Sequence, residues 1–304
     1  MFKIINIRKK ILLLIILMLA IVSNIKAERS AGAKYLLREV PARAAALSAG
    51  VADRAGGTDI LSWNPAGLTN MDKLSIAFTH LVSFADTNCE QIEIAYPGLF
   101  KGNIGLRVFY ETTATFDKIN DQAKKNGVID YHSMFIELFY AKEIIKNLSA
   151  GATIKFLEGK LEKYDAQGLA GDIGLNYQTP WQPLALGASV RNLGALSAYY
   201  KEADPLPLQM LVGLSLTHVF LKKHEVGLLL DATKPLAGDD ELVLASGLEY
   251  SFNNFGFIRF GYRFAEEEDN LSVGAGIKYS KIGLDYAYQP HESLGENHRL
   301  TLSY

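Results

Sequence analysis

Apolar and polar residues alternate in segment after segment from Leu74 to the last residue of the chain. In the segment KIGLDYAYQ, the side chains of Ile282, Leu284 and Tyr286 fall on one side of an extended backbone and that of Asp285 on the other. The segments NIGLRVFYE, LSAGATIKF, DIGLNYQ, GFIRFGYRF and LSVGAGIKYS repeat this period of two, which is the period of a β-strand. The pattern predicts an all-β fold of about fourteen strands.

The composition of the two strand faces bears on whether the fold is a soluble β-sandwich or a membrane barrel. A sandwich buries its apolar faces, whereas a transmembrane barrel turns them towards lipid. Here the polar faces are rich in Gly, Ser and charges of both signs, many apolar faces end in Tyr or Phe, and the alternation continues to the terminal Tyr304. These features favour a transmembrane barrel of about 14 antiparallel strands over residues 73–304, in the bacterial outer membrane.

The connections between the predicted strands alternate in length. PGLFKG, KEIIKN, TPWQP, LKK, NNFG and SK are short, whereas TTATFDKINDQAKKNGVI and GALSAYYKEADPLP are long. Bacterial barrels have short periplasmic turns and longer outward loops. The order therefore supports an even number of strands with a periplasmic N-terminus.

Residues 1–27 have the layout of a secretory signal peptide. A basic start that includes Lys3 and Arg8 precedes an apolar run over residues 11–22, and a short polar exit ends at Ala27. An uncleaved membrane anchor is the alternative, but the run is about a dozen residues and a spanning helix needs about 20. We therefore expect the mature chain to be exported.

Charge and cysteine content give no indication of nucleic-acid binding, disulfides or metal sites. The net charge of −2 gives no indication of a nucleic-acid partner, and Cys89 is the only cysteine, so no internal disulfide is expected. No Cys/His cluster has metal-ligand spacing, and we expect neither a metal nor a cofactor.

Residues 28–72 do not alternate and are expected to fill the lumen as a plug. The segment is Ala-rich with interspersed Arg, which predicts a short helix that ends at Gly56 and Gly57. The inward strand faces carry charges of both signs, which favours an internal hydrogen-bonded network over an ion-selective pore. The predicted lumen network comprises Arg107, Glu137, Lys155, Asp172, Arg191, Arg259, Arg263 and Asp285. For each of these residues alone, simple structural pairing is the alternative.

A compact motif lies between the predicted plug and the first strand. It is formed by Trp63, Asn64, Pro65, Ala66, Gly67 and Leu68. Pro fixes a bend, Gly67 permits a close backbone approach, and Trp63 is expected to wedge against the wall where the chain leaves the lumen.

Three inward-facing aromatic residues on neighbouring predicted strands, Phe109, Phe135 and Phe139, are candidates for a hydrophobic ligand pocket. The alternative is that the three rings pack against Trp63 or the plug helix.

Three stretches of the chain resemble the PorV/PorQ family, which lies within the FadL-like outer-membrane barrels. They are AGAKYLL…PARAAALSAGVA…WNPAGL near the start, LGASVRNLG in the middle, and FGYRF…LSVGAGIKY…GLDYAYQP…LGENHRLTLSY at the end. The resemblance implies a fourteen-stranded barrel with an N-terminal plug. It implies one of two functions. PorV-type members serve type IX protein secretion as shuttles, and FadL-type members pass long-chain fatty acids or other hydrophobic compounds through a lateral opening.

The length of the chain favours the PorV/PorQ branch, because it is short for a FadL-type transporter. The expected partners are outer-membrane lipid together with secreted cargo proteins or translocon components, or with a long-chain hydrophobic ligand. The loop GALSAYYKEADPLP offers Tyr199 and Tyr200 for protein contact, or is a solvated connector.

Two further classes are disfavoured. An enzyme is not indicated, because the sequence has no G-x-S-x-G elbow and no Ser, His and acid that share a strand register. A passive general porin is disfavoured by the plug and by the mixed charges of the lumen.

Overall fold

The structure is a computed structural model that describes residues 31–304, except 56, 120–123, 239–240, 265–269 and 292–294. The predicted signal peptide, residues 1–27, and the first residues of the predicted plug lie outside the described residues. None of the helices in the described part of the chain is long and apolar enough to cross a membrane.

Fourteen antiparallel strands close into one barrel, which confirms the predicted fold class, and a separate two-stranded hairpin stands in the connection after the third strand. The strands are β1 (Ser75–Ser83), β2 (Thr87–Leu99), β3 (Gly102–Thr112), β4 (Phe116–Ile119), β5 (Lys125–Ile129), β6 (Tyr131–Ile145), β7 (Leu148–Leu161), β8 (Tyr164–Gln178), β9 (Leu184–Leu196), β10 (Gln209–Phe220), β11 (His224–Pro235), β12 (Val243–Phe252), β13 (Gly256–Phe264), β14 (Leu271–Tyr279), β15 (Ile282–His291) and β16 (Gly295–Ser303). β4 and β5 form the hairpin, and β1 pairs with β16 to close the wall.

The apolar face of each strand points away from the barrel axis, as a membrane barrel requires. On β13 the outward Ile258 and Phe260 are each 51% exposed, whereas the inward Arg259 between them is buried. A soluble sandwich would bury the apolar side chains and expose the arginine. The exterior is therefore a lipid-facing apolar belt.

The connections differ at the two ends of the barrel, as predicted. At the end that holds Ser75 and Tyr304, every turn has two to five residues, and we take this end as periplasmic. At the other end, connections of 18 and 12 residues follow β3 and β9, although those after β1 and β7 are short. The first long connection contains the β4–β5 hairpin, which was not predicted.

The N-terminal segment, residues 31–71, packs inside the barrel against the inward strand faces. It contains three 3₁₀ turns, η1 (Lys34–Leu37), η2 (Thr58–Ser62) and η3 (Pro65–Asn70), and one six-residue helix, α1 (Ala42–Leu47). The helix ends at Ser48, which has a left-handed φ of 55°, and not at Gly56 and Gly57 as expected. The chain turns there because the carboxylate of Asp231 on β11 accepts hydrogen bonds from the backbone N–H groups of Gly50 (2.6 Å) and Val51 (3.0 Å).

Glycines on the inward strand faces allow this close packing. A Cβ added at any of seven of them would lie within 3.1 Å of an atom of the N-terminal segment, and we call these residues the lumenal glycine row: Gly151, Gly174, Gly187, Gly213, Gly247, Gly261 and Gly274. At Gly151 the collision would be with the backbone of Pro65 and Ala66, and at Gly247 with the backbone and Cβ of Leu47. The glycines that are frequent on the predicted polar strand faces therefore form the surface against which the N-terminal backbone packs.

Substituting a member of the lumenal glycine row is expected to destabilise the protein. Gly247→Ala places a methyl group against the Leu47 carbonyl and should lower the free energy of unfolding by about 1–3 kcal/mol, the usual cost of overpacking. Gly227→Ala is the matched control, because it lies inward on the neighbouring β11 and its new methyl group would have Glu249 Cβ as its nearest neighbour, at 4.0 Å. The measurement is urea unfolding in detergent, followed by tryptophan fluorescence; equal losses in both variants would contradict the role of the row.

Candidate functional site in the barrel lumen

The predicted Trp63–Leu68 motif is buried against the wall. Asn64 is fully buried, and its side chain joins three backbone segments. Its Oδ1 accepts a hydrogen bond from the N–H of Ala66 (3.0 Å) and so caps η3, while its Nδ2 donates to the carbonyls of Val51 (2.9 Å) and of Leu175 on β8 (2.9 Å). Asn64 therefore fastens two parts of the N-terminal segment to the wall.

The other motif residues fill the space around Asn64. The Trp63 ring packs with Val51 and with Leu211 of β10, and the Trp63 carbonyl accepts a hydrogen bond from Ser189 Oγ on β9 (2.8 Å). Gly67 has no room for a side chain, because a Cβ there would meet the side chain of Ile60. The remaining motif residues are also buried: Pro65, Ala66 and Leu68.

Asn103 on β3 holds the point where the chain passes from the lumen to the wall. Its Nδ2 donates to the carbonyls of Leu68 and Met71, at 2.8 Å each. Sequence reasoning missed this residue, because an Asn at the start of a strand has no distinctive signal.

Five of the eight predicted lumen charges form one layer across β3, β6, β7, β8 and β9. Arg107 pairs with Glu137, and the fully buried Lys155 Nζ lies 3.0 Å from carboxylate oxygens of both Glu137 and Asp172. Asp172 also accepts from the backbone N–H of Asn192 at a bulge in β9 (2.8 Å).

Arg191, the fifth residue of the layer, donates to the carbonyl of Leu36 in η1 over 3.5 Å. This contact ties the layer to the N-terminal segment. The layer contains charges of both signs and its side chains are almost fully buried. It therefore resembles a structural network more than an ion path.

The remaining predicted charges meet charges that the N-terminal segment supplies. Arg259 binds Glu249 (2.6 Å) and Asp285 (2.5 Å), and the same Glu249 accepts two bonds from Arg43 of α1 (2.9 and 3.0 Å). Arg43 also pairs with Asp53 and Asp59. The network thus continues from the wall into the N-terminal segment.

The pKa of the Arg43 guanidinium reflects this setting. Burial by itself lowers its pKa, but the carboxylates of Asp53, Glu249 and Asp59 outweigh burial and hold the pKa well above its ordinary value. Arg263, the last predicted charge, is bound by Glu39 (2.5 Å). Sequence reasoning did not assign partners to these plug charges, because they lie about 200 positions from Glu249 and Arg263 along the chain.

The candidate pocket residues Phe109, Phe135 and Phe139 are all buried. Phe109 and Phe135 stack with ring centroids 4.5 Å apart, and Tyr35 of η1 stacks over both at 6.3 and 6.4 Å. The plug residue that covers Phe109 and Phe135 is therefore Tyr35, and not Trp63 or the helix. In this state these rings offer no open pocket.

Phe139 belongs to a separate apolar cluster nearer the periplasmic end, with Leu61, Leu68 and Met71 among its members. The Arg107 guanidinium lies between the two groups, 5.5 Å from the ring centroid of Phe135 and 5.4 Å from that of Phe139. The lumen along β2–β8 is thus layered: an outer apolar cluster, the charge layer and an inner apolar cluster.

The connection after β9, residues 197–208, folds into the outer mouth of the barrel. Its Leu206 is buried in the same cluster as Tyr35, Phe109 and Phe135. The carbonyl of Pro205 accepts from the N–H of Gly32 (3.0 Å). The loop and the start of the N-terminal segment therefore close the mouth together, which the sequence did not predict.

A cavity of about 460 Å³ lies at the opposite, periplasmic end of the lumen. It lies between the N-terminal segment and the periplasmic parts of β10–β12, and its walls include Arg43, Arg54, Glu225, Leu229 and Gln182. In the described part of the chain, no group of three or more His, Cys, Asp or Glu could hold a metal ion.

No protein-family model and no curated protein sequence matches the chain. Solved structures do match: the toluene transporter TodX of Pseudomonas putida has 12% sequence identity and a TM-score of 0.60 over 88% of this chain and 97% of its own. The toluene transporter TbuX of Ralstonia pickettii has 15% identity and a TM-score of 0.57, covering 84% and 96%. A FadL homologue of Pseudomonas aeruginosa has 12% identity and a TM-score of 0.52, covering 87% and 97%.

The closed fourteen-strand wall, the apolar exterior and the filled polar lumen define an outer-membrane β-barrel. Its fold is that of the FadL-type barrels, to which it is similar over most of its length.

The bridging role of Asn64 predicts a large effect of an isosteric change. Asn64→Asp keeps the cap but turns a carboxylate oxygen towards the carbonyls of Val51 and Leu175, and should lower the free energy of unfolding by about 3 kcal/mol. Asn64→Ser is the control, because it retains a capping oxygen without the charge and should cost less. Urea unfolding in detergent measures both, and an Asp variant as stable as the wild type would refute the bridge.

Removing the central lysine of the charge layer should be costly. Lys155→Met leaves Glu137 and Asp172 without their shared cation, and we expect a loss of about 3–5 kcal/mol in the free energy of unfolding. Lys160→Met on the exterior of the same strand should change it by about 0.5 kcal/mol or less. Similar losses for both lysines in the same unfolding assay would show that the layer is not stabilised by Lys155.

Proposed function

We propose that this barrel passes small hydrophobic compounds across the outer membrane, and that it does so without catalysis. The observation that carries the proposal is the outer apolar cluster, in which Tyr35, Phe109 and Phe135 pack with Leu206 of the mouth loop, residues 197–208. A buried aromatic cluster at the outer end of a polar lumen suits a compound that leaves water on binding. The solved barrels of the same fold are named as toluene transporters and a FadL homologue, which supports this function over secretion.

The N-terminal segment is proposed to act as the movable part of the path. Tyr35 occupies the position over Phe109 and Phe135 that a flat hydrophobic compound would take. The contacts of η1 differ in kind from those of α1: η1 is held by side chains, among them Tyr35 and the ion pair of Arg38 with Glu111, whereas the backbone of α1 lies on the lumenal glycine row. Displacement of η1 and the mouth loop would expose the cluster while α1 stays in place.

The proposal also assigns a role to each segment of the chain. Residues 1–27 serve as the export signal, residues 28–72 as the plug, and residues 73–304 as the barrel. The motif Trp63–Leu68 anchors the plug to the wall, while Phe109 and Phe135 receive the compound. Phe139 lies beyond the charge layer and would take part only after the compound has passed Arg107.

A reversible lock of the mouth tests the function. A Cβ at position 32 would lie 2.8 Å from Asp204 Cβ, so small shifts would bring Gly32→Cys and Asp204→Cys within disulfide distance. In cells that lack their own FadL-type barrels, uptake of radiolabelled toluene should fall to background when the double variant is oxidised and recover on reduction. The single variants are the controls, and Cys89 is buried and does not interfere.

Two outcomes of this experiment would count against the proposal in different ways. If the oxidised double variant takes up toluene as fast as the same variant after reduction, the mouth is not the route. Wild-type uptake of neither toluene nor a long-chain fatty acid above background would refute the transport function itself.

A second candidate function is protein secretion as a PorV/PorQ-type shuttle in a type IX system. It is supported by the sequence resemblance and by an exposed aromatic surface at the outer end, where Tyr164 and Tyr200 meet edge to face at 5.2 Å and Tyr200 is 69% exposed. Gentle purification from the native outer membrane with mass spectrometry separates the two functions. Secreted cargo or a translocon component at stoichiometric amounts would favour the shuttle, whereas a bound hydrophobic compound alone would favour transport.

A further inference from the structure

Six polar side chains lie on the lipid-facing exterior of four neighbouring strands, β15, β16, β1 and β2. We call them the His–Glu patch: His80, Glu90, Tyr286, Tyr288, Glu296 and His298. All six occupy outward positions of their strands, where the apolar belt would continue in a simple membrane barrel. They fall outside the lumen and play no part in the proposed transport function.

The patch consists of two neighbouring sets of hydrogen bonds. Tyr286 and His298 meet at 2.7 Å, Tyr288 donates to Glu296 over 2.9 Å, and His298 Nε2 lies 3.2 Å from Glu296. On the adjoining strands, His80 Nδ1 and Glu90 Oε1 are 2.7 Å apart. The side chains are thus held in fixed positions and yet remain accessible, with His80, Glu90 and His298 each 43% exposed.

The patch shortens the apolar belt on this side of the barrel. On β1 six positions separate Leu74, which is exposed just before the strand, from the outward His80, about 16 Å along the barrel axis for a tilted strand. On β14 the outward positions from Leu271 to Tyr279 contain no ionisable group other than the terminal Tyr and span about 21 Å by the same measure. A transmembrane barrel usually presents an apolar band of about 25 Å. The His–Glu patch therefore lies at a depth where lipid would leave carboxylates and imidazoles poorly solvated.

The chemistry of the patch argues against lipid headgroups as its partner. Anionic headgroups are recognised by clusters of Lys and Arg, whereas the described outward positions of these four strands carry neither residue. The patch instead contains hydrogen-bond donors on Tyr and His beside acceptors on Glu90 and Glu296. A two-fold interface brings the same patch of both subunits together, and a patch with both donors and acceptors can supply both sides of the hydrogen bonds that such an interface needs.

We propose that the exterior of β15, β16, β1 and β2 is a dimer interface that binds a second copy of this chain. In the dimer, the Glu carboxylates of one patch accept hydrogen bonds from Tyr and His of the other, and the outward apolar residues below the patch, such as Leu300, pack against their counterparts. The contact removes the six polar groups from lipid and lengthens the surrounding belt. Polar contacts between membrane segments add to association.

The oligomeric state of the full chain in lipid tests the proposal. The protein, labelled on Lys146→Cys in an exposed periplasmic turn, is reconstituted into vesicles and its bleaching steps are counted. We expect two steps for the wild type. Leu300→Trp, at a 48% exposed outward position that pairs with His80, should give single steps, whereas Leu248→Trp, at a 43% exposed outward position on β12, should still give two.

A second variant keeps the proposal testable if the tryptophan disturbs folding. His80→Leu combined with Glu90→Leu makes the exterior more apolar, so a lipid-facing barrel would tolerate it; we expect monomers that still show the heat-modifiable gel migration of a folded barrel. Single bleaching steps for the wild type would overturn the proposal. So would two-step bleaching of equal frequency in all variants.

Discussion

The N-terminal backbone lies directly on the inner wall of the barrel, and the rest of the structure depends on that close approach. Seven lumenal glycines leave room for it, and Asp231 and Ser215 of the wall bind its backbone polar groups. Buried backbone polar groups need partners, and here the barrel supplies them in place of water. Apart from the periplasmic cavity, the lumen is consequently a packed core, in which the wall and the N-terminal segment stabilise each other.

The filling is uneven, and this unevenness suggests where the molecule can change. Around α1 the contacts are backbone against glycine and multiple ion pairs through Arg43. Around η1 they are side-chain contacts: Tyr35 stacks on two Phe rings, Arg38 pairs with Glu111, and Arg191 donates to the Leu36 carbonyl. A bound compound could replace the Tyr35 ring without moving the backbone that rests on the glycines. The outer mouth is thus the part of the lumen most suited to admit a compound.

The sequence predicted the wall well and the interior poorly, for a physical reason. Strand alternation is a local pattern, so the outward face of Ile258 and Phe260 and the inward face of Arg259 follow from adjacent residues. The partners of the inward charges are set by closure of the barrel: Arg107 with Glu137 was within reach of strand pairing, but Arg263 with Glu39 was not. The cover over Phe109 was missed likewise, since Tyr35 has no local signal that places it there. The His–Glu patch was visible as His80 and His298 on apolar faces, but its cross-strand bonds depend on the register.

The seam of the barrel is where the first and the last strand of the wall meet. β1 pairs with β16 there and closes the ring. The N-terminal segment reaches the same line from inside, because the backbone N–H of Ala42 donates to Thr301 Oγ1 on β16, and Thr301 shares a hydrogen bond with Thr79 on β1. Three stretches that are far apart in the sequence therefore meet at one place, and the ring is fastened at its closing ladder by the segment that it encloses.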